Sequence, residues 1–226
     1  MRTQDEEKPR HSLPVSKPPA SRYGNNRFIF YSPTLGRRLI LGSGIEWDAC
    51  VEIEATHKKH YCEQPRRVQV LLRDGLVRTV FDFWIHWPDG SEEYREVKLT
   101  SDLVPGSRAL VQIEAQKTFC RLHGFKHTVA TEKTIRANPL YLDNWKRILT
   151  HLGMTSTIDL RPITKRLVRL LRTVRRCRMS TLESALAAFD PVLVRAAMYT
   201  LIHRREATAD LKNEVLGPSL YLEVVE

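Results

Sequence analysis

The spacing of hydrophobic and polar residues along the chain predicts its secondary structure. Alternating or short apolar runs bounded by turn residues predict four strands, at residues 66–72, 77–87, 91–100 and 126–131. Apolar residues spaced three and four positions apart predict helices at residues 43–57, 107–123 and 140–152. The resulting order, α-β-β-β-α-β-α, indicates an α/β fold with a mixed sheet flanked by helices.

Capping and turn residues support these boundaries. Ser43 and Glu46 form a capping-box pattern at the start of the first helix. Gly124 and Gly153 are predicted to close the second and third helices. Upstream, residues 27–41 are expected to form short extended pieces around a turn.

After about residue 158 the pattern becomes mainly helical. Ile163, Leu167 and Leu171 follow helical spacing, and Pro162 fits the first turn of that helix. Two further helices are predicted, at 181–189 with Ser180 or Thr181 as cap and at 192–205, followed by two short strand candidates. Three helices and a hairpin describe a winged helix-turn-helix.

These patterns predict three parts of the chain. Residues 1–26 are rich in Pro, Ser and charge and are expected to form a flexible basic tail. Residues 27–155 form the predicted α/β domain, and residues 156–226 form the predicted winged-helix domain, with the boundary near 154–158.

The formal net charge of +10 is concentrated in one short segment. Residues 155–180 contain eight Lys or Arg residues and one acid, whereas residues 181–226 contain four basic and seven acidic residues. Within this segment one basic stripe follows helical spacing, and its members are Lys165, Arg169, Arg172 and Arg176. Such a stripe favours contact with DNA or an acidic partner, although a merely solvated helix face has the same pattern.

Composition argues against several classes of protein. No run approaches the roughly 20 apolar residues of a membrane span, and no apolar signal core begins the chain. The four cysteines lie far apart without a Cys-x-x-Cys pair, so neither a zinc site nor a disulfide framework is expected. Reduced thiols in a cytoplasm fit this pattern best.

The candidate chemistry lies in the second and third predicted strands. Asp82 falls on one strand face with Val80 and Trp84, and Glu96 and Lys98 share a face of the next strand. Three explanations compete for Asp82: a solvated position, a structural ion pair with Lys98 or an arginine, or a ligand for a divalent metal. Mg²⁺ prefers hard oxygen ligands, commonly one or two carboxylates.

The order of elements and motifs resembles the PD-(D/E)xK nuclease superfamily, with its restriction-endonuclease-like fold, over Ser43 to Thr131. Within it, the chain is most similar to the TnsA family, the endonuclease subunits of heteromeric transposases. The winged-helix prediction also agrees with that family's two-domain plan. The stretches that carry the likeness are SGIEWDACVEIEA (43–55), Glu-Gln-Pro (63–65), TVFDFWIHWPDG (79–90), REVKL (95–99) and HGFKHTVATEK (123–133).

The resemblance implies a role for four site residues. Glu46 matches the acid of the first helix, Asp82 the metal-binding aspartate, Glu96 the first position of the (D/E)xK motif, and Lys98 the catalytic lysine. The Val97 carbonyl would join the acids as a ligand for Mg²⁺ or Mn²⁺. The chain departs from the pattern at Phe81, where the superfamily has Pro, and at Glu96, where some TnsA members have Gln.

Several structural alternatives stay open. Glu46 could serve only the capping box, and Glu96 with Lys98 could form only a cross-strand ion pair. Gln112, Gln116 and Lys117 could face phosphate, although packing or solvation is the simpler interpretation.

By resemblance, the protein is expected to cut double-stranded DNA at the 5′ ends of a transposon in a prokaryotic cytoplasm, leaving 5′-phosphate and 3′-hydroxyl ends. The implied partners are a DDE-type transposase and an AAA+ ATPase regulator, with no membrane. The alternatives are a restriction or resolvase-type nuclease, and a winged-helix DNA-binding adaptor without catalysis.

Overall fold

A computed structural model describes residues 9–16 and 27–225, which form a mixed α/β structure in two compact units. The described part of the first unit extends to Ile29 and then from Leu39 to Ile135. The second unit comprises Phe30–Arg38 and the chain from Arg136 onward. Strands β1 (Phe28–Ser32) and β2 (Arg37–Leu41) form a two-stranded sheet. The segment Phe30–Arg38, which includes parts of both strands, is the one assigned to the second unit.

The elements of the first unit follow the predicted order with additions. In chain order they are α1 (Gly44–Ala55), β3 (His60–Glu63), β4 (Arg67–Leu72), β5 (Gly75–Val80), β6 (Phe83–His86), β7 (Glu92–Lys98), a 3-10 turn (Thr100–Asp102), α2 (Arg108–His123), β8 (Lys126–Thr131) and α3 (Glu132–Ile135). The mixed sheet flanked by helices is thereby confirmed. The sequence pattern missed β3 and α3, which are each four residues long.

The central sheet has four strands in the order β3-β6-β7-β8. The first two pairings are antiparallel, and β7 pairs with β8 in parallel. Consecutive residues of a strand point to opposite faces. Tyr94 accordingly packs with Phe119 of α2, whereas Arg95 reaches Glu52 of α1 at 3.6 Å between Nη1 and Oε2. The two long helices of the unit therefore cover opposite faces.

The predicted strand 77–87 is wrong as a single element, because the chain breaks at Phe81 and Asp82. Residues before the break pair with β4 in a separate two-stranded ribbon, and residues after it join the central sheet. At the break the Asp82 carbonyl accepts a hydrogen bond from the Gln64 N–H at 2.8 Å. The Asp82 carboxylate meanwhile accepts the Val97 N–H, so a side chain takes the place of a ladder partner.

Residues 9–16, part of the segment expected to be a flexible tail, lie against the first unit. Arg10 forms a two-bond ion pair with Glu92, at 2.7 and 2.8 Å. The Val15 N–H donates to the Gln64 carbonyl at 2.9 Å. The rest of the predicted tail lies outside the described residues.

The second unit is built around one buried helix. Its elements are α4 (Pro139–Met154), α5 (Arg161–Val174), β9 (Arg176–Arg178), α6 (Met179–Ala185), α7 (Pro191–His203), β10 (Ala207–Thr208) and β11 (Tyr221–Val224). Helix α7 contacts the other three helices and buries an apolar face that includes Val194, Met198 and Leu201. The three strands form an antiparallel sheet in the order β10-β11-β9.

Helix α4 belongs to the second unit, whereas the predicted boundary near 154–158 assigned it to the first. The reason is the buried amide of Asn144. Its Nδ2 donates to the carbonyls of Leu211 and Glu214, and its Oδ1 accepts the Leu216 N–H, all within 2.9 Å. These bonds join α4 to the loop before β11.

Helix ends agree with the sequence where a side chain caps them and differ elsewhere. Ser43 caps α1 and Gly124 closes α2 in the left-handed conformation, as predicted. Gly153 does not end its helix, which continues to Met154. Helix α6 begins at Met179, before both predicted caps, and has no side-chain cap.

Two further observations concern the whole described chain. Within residues 9–16 and 27–225, every helix is too short or too polar to cross a membrane. All four cysteines are free thiols, and three of them are buried.

Candidate active site

Asp82 is fixed at the break between two strands. Its Oδ2 accepts the Val97 N–H at 2.7 Å, while Oδ1 receives no hydrogen bond from the described residues. The side chain is partly buried. Burial raises the pKa of Asp82 well above its ordinary value, and the nearby charges of Glu96 and Glu46 raise it further. The carboxylate is therefore crowded by charges of its own sign.

Glu96 is fully buried and is the most heavily hydrogen-bonded acid of the site. Its Oε1 accepts from Lys98 Nζ at 2.5 Å and from Gln112 Nε2 at 2.7 Å, and its Oε2 accepts from Gln116 Nε2 at 2.6 Å. Burial raises the pKa of Glu96, and Lys98 opposes that shift. Three donors use three of the roughly four acceptor positions of a carboxylate.

Lys98 is the cation of the cluster. Burial alone would lower its pKa, but Glu96 and then Asp82 raise the pKa above the ordinary value for lysine. The amine is therefore charged at neutral pH, bonded to Glu96 and within electrostatic reach of Asp82. The predicted convergence of Asp82, Glu96 and Lys98 on one side of the sheet is present in the structure.

Glu46 performs the capping role that the sequence left open. Its Oε2 accepts the Gly42 N–H at 2.9 Å and its Oε1 accepts the Ser43 hydroxyl at 3.0 Å. Ser43 in return accepts the Glu46 N–H at 3.2 Å, so the pair caps α1 in a variant of the capping box, in which Glu46 binds the N–H of Gly42 and not that of Ser43. The charge of Glu46 also raises the pKa of Asp82, so Glu46 lies near the strand acids as well as capping α1.

The donor set fits a divalent cation of the Mg²⁺ type. Within the described residues, no group of three or more His, Cys, Asp or Glu side chains is placed to hold a metal ion. Mg²⁺ does not need such a cage, since one or two carboxylates with water and substrate phosphate commonly hold it. The free Oδ1 of Asp82 and the spare acceptor position of Glu96 are hard oxygens, and a cation would relieve the repulsion between their charges.

Sequence reasoning undervalued two glutamines of α2. Gln112 and Gln116 are one helical turn apart, and both donate to Glu96. Gln116 is fully buried and also donates to the Thr79 hydroxyl at 3.1 Å. Their spacing was the only signal for this pairing. Gln64, in the Glu-Gln-Pro motif, was likewise missed as the residue that fixes the Asp82 backbone.

The predicted basic stripe lies in the second unit and is only partly helical. Lys165, Arg169 and Arg172 are exposed on α5, opposite the buried Leu167. Arg176 instead belongs to β9, where its guanidinium lies 4.4 Å from the ring centroid of Tyr221. The stripe on the helix is therefore three residues long, and the fourth residue is part of a cation–π contact.

No protein-family model matches the chain, and no curated protein matches it significantly.

Proposed function

We propose that this protein is a metal-dependent DNA endonuclease, acting as the TnsA-like subunit of a heteromeric transposase. The observation that carries the proposal is the Asp82 carboxylate, which is held by the Val97 N–H beside Glu96 and Lys98. Burying two acids beside one lysine costs stability, and clusters of this kind with shifted pKa values are common at functional sites. Phosphodiester hydrolysis uses such a combination of acids and a cation.

The residues would divide the work by their chemistry. Asp82, Glu96 and the Val97 carbonyl would hold Mg²⁺ or Mn²⁺, with Glu46 supporting them through its charge. Such an ion neutralises charge on the phosphodiester and lowers the pKa of a bound water. The Lys98 Nζ would orient the attacking water at the scissile phosphate, since its charge is maintained by Glu96 and Asp82. The Gln112 and Gln116 amides keep the Glu96 oxygens in place.

The second unit would serve recognition and assembly. Its helices and three-stranded sheet support the proposal of a winged-helix domain, in which α7 would be the second helix of the turn motif. The exposed basic residues of α5 suit flanking DNA or an acidic surface of an AAA+ ATPase regulator. A DDE-type transposase would cut the 3′ ends while this subunit cuts the 5′ ends, in the cytoplasm of a prokaryote.

The test is cleavage of a transposon-end duplex by the full chain with its partner transposase and Mg²⁺. Asp82→Ala is expected to lower 5′-end cleavage at least about 100-fold, because it removes a ligand that no neighbour replaces. Asp89→Ala is the matched control, since Asp89 lies exposed in the turn between β6 and β7. Cleavage by Asp82→Ala at the wild-type rate would show that the site is assigned wrongly.

A second candidate function is that of a DNA-binding adaptor with an inactive nuclease fold. It is favoured by the hydrogen bonds of Glu96, which already satisfy most of that carboxylate within the protein. Calorimetric titration with Mn²⁺ separates the two. The nuclease is expected to bind Mn²⁺ with an affinity that Asp82→Asn weakens, whereas the adaptor would show no binding that depends on Asp82.

A further inference from the structure

We propose that a basic groove beside the candidate active site binds the phosphate backbone of double-stranded DNA, and that arginines of the β4–β5 ribbon contact the phosphates. This inference rests on the proposed function and deepens it, because it assigns substrate contacts to residues outside the catalytic cluster.

The groove lies within the first unit and has a volume of about 1240 Å³. One wall is the β4–β5 ribbon, and the other is the segment from the 3-10 turn to the first turn of α2. Its charged lining is strongly one-sided. Four cationic residues line it, namely Arg67, Arg78, Lys98 and Arg108, against the single acid Asp102.

The three arginines are available for a ligand. Arg67, Arg78 and Arg108 are all exposed, and within the described residues their side chains form no ion pair or hydrogen bond. In the same unit Arg10 and Arg95 are paired with glutamates, whereas Arg73 and Arg121, outside the groove, are exposed and unpaired like the groove arginines. Arginines left unpaired along one groove are suited to phosphate, whose oxygens match the guanidinium fork.

The ribbon presents its arginines from a rigid base. In β4 the even-numbered residues Val68 and Val70 are buried in the core cluster with Phe119 of α2, so the odd-numbered Arg67 points outward. Arg78 pairs in register with Gln69 on the same outward face. Because the ribbon backbone is already ordered against α2, binding there would order only the arginine side chains.

Hydrogen bonds connect this wall of the groove to the catalytic cluster. The Gln116 amide bridges Thr79 in β5 and Glu96 in β7. Lys98 and Gln112 line the groove and also bond to Glu96. A duplex gripped by Arg67 and Arg78 would therefore have a phosphate close to Lys98, where cleavage is proposed.

The experiment measures binding of the full chain to a fluorescent 30-base-pair duplex without divalent metal, so that cleavage plays no part. Affinity is recorded by anisotropy between about 50 and 300 mM salt. Each phosphate contact contributes roughly 0.9 to the slope of log K against log salt. Arg67→Ala/Arg78→Ala is expected to weaken binding at least about 10-fold and to reduce the slope by about 2.

Two comparisons make the result specific. Arg121→Ala removes an exposed arginine from the opposite end of α2 and is expected to leave affinity and slope almost unchanged. Arg67→Lys/Arg78→Lys is expected to keep the slope, because lysine also neutralises a phosphate. Thermal unfolding of each variant checks that the exposed substitutions leave the fold intact.

The outcomes separate this inference from the proposed function. If Arg67→Ala/Arg78→Ala binds like the wild type while Asp82→Ala abolishes cleavage, the groove is overturned and the nuclease stands. If wild-type protein fails to bind the duplex at 50 mM salt, the groove is overturned whatever the cleavage assay shows. If the arginine variants lose binding but Asp82 proves dispensable, the groove is a DNA site without the assigned catalysis.

Discussion

Glu96 shows how a single buried acid can be tolerated in this fold. An isolated ionised carboxylate in the interior is costly, and the cost falls only when charge and hydrogen bonds compensate it. Lys98 supplies the charge, and Gln112 and Gln116 supply neutral donors from the facing helix. Lys98, Gln112 and Gln116 thus hold Glu96 in place, because their charge and hydrogen bonds offset the cost of burying its carboxylate.

Gln116 is expected to contribute more stability than Gln112. Gln116→Leu removes a fully buried donor and leaves an oxygen of Glu96 without a partner, which costs about 1–3 kcal/mol of unfolding free energy. Gln112→Ala leaves Lys98 bonded to the same oxygen that Gln112 contacts, and Gln112 is partly exposed, so the loss is expected to be smaller. Urea unfolding measures both variants. Equal losses would contradict the central role of Gln116.

Under the proposed function Asp82→Asn is expected to abolish cleavage, and it is also expected to stabilise the fold. The asparagine Oδ1 can still accept the Val97 N–H, while the desolvated charge beside Glu96 and Glu46 disappears. Catalytic groups commonly lower stability in this way, and their replacement gains about 1 kcal/mol. Thermal unfolding without divalent metal measures the effect, with Asp89→Asn as control. A lower melting temperature for Asp82→Asn would show that its charge is structurally needed.

Residue types with chemistry of their own could be predicted from the sequence, whereas their supporting residues could not. Asp82, Glu96 and Lys98 were expected to converge because strand alternation fixes which side chains share a face. Gln116 carries no catalytic chemistry, and its contacts depend on how α2 lies across the sheet. The sequence pattern also could not show the break at Asp82, because Phe81 and Phe83 continue the apolar alternation across it.

At the scale of elements, residues 9–16 lie outside the sheet and form hydrogen bonds with Gln64, next to the candidate site. The Val15 N–H and the Ser16 hydroxyl donate to the carbonyl and the side-chain oxygen of Gln64, a non-glycine residue with a positive φ of 42°. Gln64 in turn holds the Asp82 backbone. The segment also places His11 Nε2 2.7 Å from the Tyr94 hydroxyl, with the imidazole edge-on to Trp84.

The attachment of this segment is expected to weaken between about pH 6.5 and pH 4. Burial and the charges of Arg10 and Arg66, opposed by Glu92, lower the pKa of His11 to about 4. A detached His11 has an ordinary pKa near 6.5, so the detached state binds more protons once the pH falls below that value. Hydrogen exchange of residues 9–16 at several pH values measures the change.

His11→Gln is the control for that prediction, because glutamine can bond to Tyr94 without titrating. Its segment is expected to lose the pH dependence over that range. If His11→Gln and wild type loosen in parallel, another group controls the attachment. Glu92 is the next candidate, since its pKa is lowered against burial by its bond to Arg10.

Element boundaries were predictable where a local side chain determines them. Ser43 and Ser107 accept backbone N–H groups at the starts of α1 and α2, and both starts can be predicted from the local sequence. The starts of α5 and α6 have no side-chain cap. Helix α4 continues through Gly153 and packs close to Tyr31 there, since an added Cβ would lie 3.4 Å from the Tyr31 side chain. Packing of this kind is not visible in a local pattern.

At the scale of the whole molecule, the candidate site and the basic stripe of α5 belong to different units. The acidic cluster and the unpaired arginines of the groove belong to the first unit, and the basic stripe of α5 belongs to the second. The predicted boundary failed to separate the units because α4 has the same amphipathic pattern as the helices of the first unit. The partners of Asn144, about 70 residues away, and the packing of α4 against α7 identify the unit to which α4 belongs.

The position of α4 predicts the behaviour of two fragments. A fragment that ends at residue 155 would keep α4 but lose the carbonyls that satisfy Asn144 and the apolar partners of Trp145 and Ile148. The apolar face of α4 would then be exposed, and an exposed apolar helix face favours aggregation. A fragment that ends at residue 135 lacks that helix. Light scattering and dye binding are therefore expected to show more aggregation for the longer fragment, and a soluble, monomeric 1–155 fragment beside an aggregating 1–135 fragment would place α4 with the first unit instead.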